Sequence, residues 1–204
     1  MKNEYISLTI KELYRIFDIL NEHYFENQLS RPIITIQKGK SGLMAWITKD
    51  PVWFNKETGE EKYELNICPE YFAEDIYTTI DSLQHENIHY YNIINKINDC
   101  NGKIHNKKFK KLAELKGLIV EKNKKYGWGL TKPSFEFMQF IDEVIKPNVE
   151  VFTFFRKIPP PKERKKREKK TFKYKCPKCN EIVKAKLDIN INCNKCNRQF
   201  ELAE

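Results

Sequence analysis

Residues 85 to 89 read His-Glu-Asn-Ile-His. On a helix, residues four apart share one face, so His85 and His89 can offer imidazoles to a single ion while Glu86 leans beside it. That pairing suits water activation: a bound divalent cation acidifies its water, and a neighbouring carboxylate takes the proton and later delivers it to a leaving group. Zinc fits the nitrogen donors, and catalytic zinc keeps three protein ligands with water in the fourth position. The chain has four histidines. His105 lies one loop beyond His89 and completes the set, whereas His23 is left as a structural or exposed residue. Without His105, two helical histidines could simply face solvent.

A second constellation is made of thiols. Cys176-x2-Cys179 and Cys193-x2-Cys196 have the spacing of a zinc ribbon, in which two thiolate knuckles clasp one ion. Four thiolates leave no place for water, so this zinc is expected to be structural. About thirty residues hold too small a core to fold without it. Cys68 and Cys100 lack partners in the sequence and are read as packing or bystander thiols.

The chain has 204 residues with a formal net charge of +9. Residues 156 to 175 hold eleven Lys or Arg against two Glu, so the excess reads as one local segment. No stretch approaches the roughly 20 apolar residues of a membrane helix, and the opening MKNEYISLTIKEL lacks a signal-peptide layout. A cytoplasmic monomer is expected.

These chemical residues need elements to hold them. Thr9-Ile10-Lys11-Glu12 reads as a capping box opening a first helix that runs to about Phe25. Four β-rich runs follow, Ile33 to Gln37, Leu43 to Thr48, Val52 to Asn55 and Tyr63 to Cys68, and predict a small antiparallel sheet. Pro69 suits the start of a second helix reaching about Asn95, with Ile76, Ile80, Leu83 and Ile88 as its buried stripe. A third helix is predicted from about His105 to Lys116, ended by Gly117, and a fourth from Ser134 to about Val144. The run Ile158-Pro159-Pro160-Pro161 and the charged residues after it read as a linker.

Together these stretches resemble the SprT-like family of zinc metalloproteins, which includes the Spartan proteases that digest proteins crosslinked to DNA. The likeness is carried by Leu20-Asn21-Glu22-His23-Tyr24-Phe25 with Leu29, by Gly42-Leu43-Met44-Ala45-Trp46, and by Leu65-Asn66-Ile67-Cys68-Pro69. Leu83-Gln84-His85-Glu86-Asn87-Ile88-His89, then His105 with Phe109 and Gly117, and finally the four ribbon cysteines extend it over nearly the whole chain. Two positions depart from the family's pattern: Asn106 where Gly is frequent, and Gln84 where an apolar residue is frequent.

The resemblance implies an α+β fold with a zincin-like minimal metallopeptidase domain, a small sheet packed on helices that carry HExxH, followed by a small zinc ribbon. The boundaries expected are 1–155, a basic linker 156–171 and the ribbon 172–204. The activity expected is zinc-dependent endopeptidase, with His85, His89 and His105 on a catalytic zinc, Glu86 as general base, and Cys176, Cys179, Cys193 and Cys196 on a structural zinc. Protein or peptide is the expected substrate. DNA is the expected partner, through Lys165, Lys166, Arg167, Lys169 and Lys170 and through Phe172 and Tyr174 stacking on bases. The alternative is a non-catalytic zinc protein that binds nucleic acid through the same linker and ribbon.

Overall fold

The first helix, α1, runs from Glu4 to Phe25. Leu13, Ile16, Phe17 and Leu20 recur at helical spacing and are wholly buried, each contributing about 1.5–3 kcal/mol of apolar burial. The helix begins ahead of Thr9, so Thr9 and Glu12 are not a capping box. The Thr9 hydroxyl instead reaches the carbonyls of Tyr5 at 2.9 Å and Val151 at 2.5 Å. Glu12 accepts from Arg15 at 2.6 Å and from the Asn148 amide at 2.8 Å, and the Arg15 hydrogen bond holds its carboxyl below the usual range. The pair clamps α1 to the chain around residues 148–151. At the helix exit the Asn21 amide holds both Leu29 N–H and C=O, at 3.0 and 2.8 Å.

In this computed structural model residues 4–39, 42–158, 171–186 and 188–203 are described. Lys165, Lys166, Arg167, Lys169 and Lys170 lie outside the described residues. The chain is mixed α+β and divides into two compact units, Met1–Ile158 and Pro159–Glu204. No helix among the described residues is long and apolar enough to cross a membrane.

Five short strands follow α1: β1 (Ile33–Ile36), β2 (Ala45–Ile47), β3 (Trp53–Phe54), β4 (Glu61–Lys62) and β5 (Glu64–Ile67). The sheet is mixed rather than antiparallel. β5 is central, β1 runs parallel to it and β2 antiparallel, while β3 and β4 form a separate hairpin. The reason lies in Asn66, fully buried on β5. Its side-chain oxygen accepts from Gln37 N–H at 2.7 Å and its NH2 donates to Gln37 C=O at 3.1 Å. That extra rung fixes the end of β1 on one side of β5 and sends the chain across to the other side, where a tight β1–β2 hairpin cannot reach.

After a 3₁₀ turn at Pro69–Tyr71, α2 spans Ile76–Ile94, capped by Asp75, whose carboxylate accepts from Thr78 N–H at 2.7 Å. Then come β6 (Cys100–Asn101), β7 (Ile104–His105), α3 (Lys107–Leu115), β8 (Leu118–Asn123) and β9 (Gly127–Pro133), with the strands in the order β6-β7-β9-β8. His105 therefore ends a strand and does not open the third helix. Asn106 caps that helix, its oxygen accepting from Lys108 N–H at 2.7 Å. α4 (Phe135–Phe140) passes into a wider π-helical turn over Ile141–Ile145, and a 3₁₀ turn at Val149–Phe152 returns to α1.

In the second unit β10 (Phe172–Lys175) lies between β11 (Ile182–Ala185) and β14 (Glu201–Ala203), and β12 (Asn192–Cys193) pairs with β13 (Arg198–Gln199). Its buried described residues are Tyr174, Cys176 and Cys193. Tyr174 is 4% exposed; its hydroxyl donates to Asp188 at 2.5 Å and accepts from Ile189 N–H at 3.1 Å. It is a core residue and not a free stacking platform, whereas Phe172 is exposed.

Candidate metal centres

α2 is held in register by Ile80, Leu83, Ile88 and Tyr90, all fully buried, which turns His85 and His89 toward α3 and β9. The Nε2 atoms of His85, His89 and His105 converge: His85 stands 3.2 Å from both His89 and His105, and the last two are 3.0 Å apart. The buried Phe109 ring lies beneath all three imidazoles, with centroid distances of 4.7, 4.7 and 4.6 Å.

The other ring nitrogens show which tautomer each histidine carries. His89 Nδ1 meets Asp99 Oδ2 at 2.6 Å, and Asn92 donates to that same oxygen at 2.9 Å. His105 Nδ1 meets the Tyr126 carbonyl at 3.1 Å. His85 Nδ1 meets the Thr131 hydroxyl at 3.1 Å, whose own proton goes to Asp81 at 3.0 Å. Every Nδ1 faces an acceptor, so every Nδ1 carries the hydrogen and each neutral ring keeps a bare lone pair on Nε2. Three lone pairs at 3.0–3.2 Å repel one another unless a cation lies among them. A metal with bonds of about 2.0 to 2.1 Å reaches all three, so the donor set fits zinc.

Electrostatics favour the neutral ring at His85 and His105. Burial, aided by the charges of His89 and His105, holds His85 well below the ordinary imidazole value, and burial also lowers His105. For His89, burial is the largest single influence and pulls down, yet the Asp99 hydrogen bond and the Glu86 and Asp99 charges together raise it. Glu86 is 8% exposed. Burial raises its carboxyl against the opposing charge of His89 and a hydrogen bond from Ile47 N–H. Its oxygens are not in the three-nitrogen cluster, which leaves it beside the metal position and not on it.

The position of His105 depends on β9. Its N–H donates to Tyr126 C=O at 2.9 Å, so one carbonyl receives both the amide and the ring of His105. Gly127 has φ +64°, and a Cβ there would strike the His105 carbonyl; a Cβ on Gly129 would enter the His105 ring. Only glycine lets β9 lie this close. Asn106 has φ −99°, an extended conformation open to any residue, so a side chain there introduces no strain. Gln84, the other departure, donates to Lys116 C=O at 2.9 Å.

Asp99, Thr131, Asp81 and Tyr126 C=O were not legible as site groups in the sequence. Only Asp99, in the polar loop before His105, carried a local hint. Cys100 adjoins His89 and Asp99, and burial and Asp99 push its thiol up to about 12. Cys68, likewise pushed to about 12 by burial, packs in the core.

The four sulfurs of Cys176, Cys179, Cys193 and Cys196 all lie within 4.8 Å of one another. Each pair is followed by an asparagine in the left-handed region, Asn180 at φ 61° and Asn197 at φ 50°. Their N–H groups close the turns onto Cys176 C=O at 3.0 Å and Cys193 C=O at 2.8 Å. The Cys179 and Lys178 amides draw the Cys176 thiol down to about 7, while hydrogen bonding with Cys179 and burial push Cys196 up to about 12. His23 stacks on Phe140 at 4.1 Å and takes no part in either cluster.

Comparison of the chain with models of protein families, with curated proteins and with solved structures finds no match.

Proposed function

We propose that this chain is a zinc-dependent endopeptidase of the SprT-like type, with a zincin-like main unit and a zinc ribbon whose ion is structural. The observation that supports it is the convergence of three Nε2 lone pairs beside the Glu86 carboxyl. Zinc bound there would acidify a water and polarise the scissile carbonyl. Glu86, raised by burial, takes the water's proton and hands it to the leaving amine. The Ile47 N–H anchors its carboxylate against β2.

That anchor also says where substrate lies. Thr48 N–H bonds Glu64 and Met44 C=O accepts from Cys68, so Met44 and Thr48 turn toward β5. Ala45 and Ile47 turn their backbone groups the other way, toward Glu86. An extended peptide adding to this edge as a further strand would bring its backbone past the metal. Asp99, Thr131 and Tyr126 C=O keep the imidazoles oriented while this happens. Of the hydroxyls near the motif, Tyr90 is fully buried and bonded to Ser30 at 2.6 Å, which removes it as an oxyanion donor.

The test is cleavage of an unfolded protein by the zinc-loaded chain, with products mapped by mass spectrometry. Cleavage stopped by a chelator and restored by zinc is expected; intact substrate under all conditions overturns the proposal.

A further inference from the structure

Residues 1 to 155 hold nearly equal numbers of basic and acidic side chains, which at the sequence level places the basicity in the linker alone. The fold shows that this balance conceals a separation. Residues 103 to 125 contain nine lysines against two glutamates, and the fold gathers them. β7 runs parallel to β9, with His105 opposite Gly127, so the β6–β7 turn carrying Lys103 and the β8–β9 turn carrying Lys124 and Lys125 lie at the same end of one sheet. α3 leaves that sheet directly after His105 and contributes Lys107, Lys108 and Lys111. Trp128 ties the two parts together: Lys110 from α3 sits 4.2 Å above its ring and Lys122 from β8 sits 5.4 Å from it.

Lys103, Lys107, Lys108, Lys111, Lys124 and Lys125 are all exposed, and none has a carboxylate within ion-pair distance among the described residues. The glutamates nearby are already engaged, Glu114 with Lys110 at 3.6 Å and Glu121 with Lys132 at 2.6 Å. A solvated surface normally intersperses the two signs, whereas this one gives six ammoniums without a carboxylate partner on adjoining elements, Lys125 resting 4.6 Å over the Tyr126 ring. They self-repel, and a polyanion relieves that cost by replacing their counterions.

We propose that α3 and the β6–β7 and β8–β9 turns form a nucleic-acid backbone-binding face on the main unit, separate from the basic linker and next to His105. Its chemistry fits phosphates better than an acidic peptide. The charges are lysine point charges spread over one helix and two turns, with no arginine among residues 103 to 125, which suits a repeating line of phosphates and not a few fixed carboxylates. Lys110 and Lys122 both approach the Trp128 ring, so binding is expected to rest on phosphates and to be independent of sequence. The proposal does not depend on peptidase activity.

The test uses the full chain loaded with zinc and a short fluorescent oligonucleotide, single-stranded and duplex. One variant carries Lys107, Lys108, Lys111, Lys124 and Lys125 changed to Gln; a second carries Lys165, Lys166, Arg167, Lys169 and Lys170 changed to Gln. The first should bind at least ~10-fold more weakly near 0.1 M salt, with a flatter salt dependence by about 0.7 to 0.9 per lost phosphate contact. The linker variant should keep the share of the slope that belongs to the face. Circular dichroism and zinc content equal to wild type show that each variant is folded. Unchanged affinity and slope in the first variant overturn the proposal, as does a wild-type chain that binds no oligonucleotide. Polyglutamate competing better than oligonucleotide, and only when the face is intact, overturns it in favour of an acidic polypeptide partner.

Discussion

With Asp81 ionised, the Thr131 hydroxyl gives it its proton at 3.0 Å and accepts from His85 Nδ1, 3.1 Å away on the other side. One hydroxyl on β9 thus fixes the tautomer of a histidine on α2. Thr131→Val keeps the shape and removes the acceptor. Zinc affinity at the histidine site should fall about 10- to 100-fold, and Thr131→Ser should restore it. Chelator competition on the full chain reads both values.

Asp81 supplies a pH prediction. Burial raises its carboxyl from 3.8 to about 7, and its Oδ1 is buried without a partner. Between those values the native state holds a proton that the unfolded chain has released, so stability falls as pH rises through the window and levels off above it. Asp81→Asn removes this penalty. In metal-free protein the variant should exceed wild type by on the order of 2 to 4 kcal/mol at pH 8, with the gap closing toward pH 4. Urea unfolding followed by tryptophan fluorescence checks this, because Trp46, Trp53 and Trp128 all belong to the main unit.

Gly129 separates a backbone requirement from a ligand. A methyl group there would enter the His105 ring, while the main core, centred on α1 and α2, is untouched. Gly129→Ala should therefore lose zinc at the histidine site as fully as His105→Ala does, with near-native helical content. Metal analysis alongside circular dichroism measures the two together, and normal zinc binding in Gly129→Ala would contradict the assigned position of His105.

The second unit should depend on its metal. Its buried described residues are one tyrosine and two cysteines, too little apolar surface to offset chain entropy. Cys176→Ser, or chelation, should collapse the amide signals of residues 171–203 in a nuclear magnetic resonance spectrum while signals of the main unit keep their dispersion.

Much of this was readable from short-range pattern. α1 and α2 carry strong helical spacing, and the two cysteine pairs identify themselves by interval alone. Thr9 and Glu12 misled because a capping-box sequence inside a helix looks the same as one at its start; Val151 and Asn148, which those side chains bind, are far away in sequence. The mixed sheet depended on Asn66 reaching Gln37, again a long-range contact. β8 did carry a period-two signal, Leu118 and Val120 buried with Ile119 and Glu121 exposed, but Lys122 and the glycines of β9 masked a hairpin that supplies Thr131 from a strand and Tyr126 from its turn. The groups orienting the histidines were thus illegible because they come from elements apart in the chain, whereas the two histidines on α2 share one helical turn.

Glu86 lies beside the three nitrogens and not among them. Glu86→Gln keeps the size and hydrogen bonding of the side chain but cannot take a proton. Zinc content and cleavage of an unfolded protein should be measured in parallel for wild type and variant. The account predicts equal zinc with proteolysis lost by at least ~100-fold in the variant. Equal proteolysis in both proteins, or loss of the histidine-site zinc in Glu86→Gln, would contradict it.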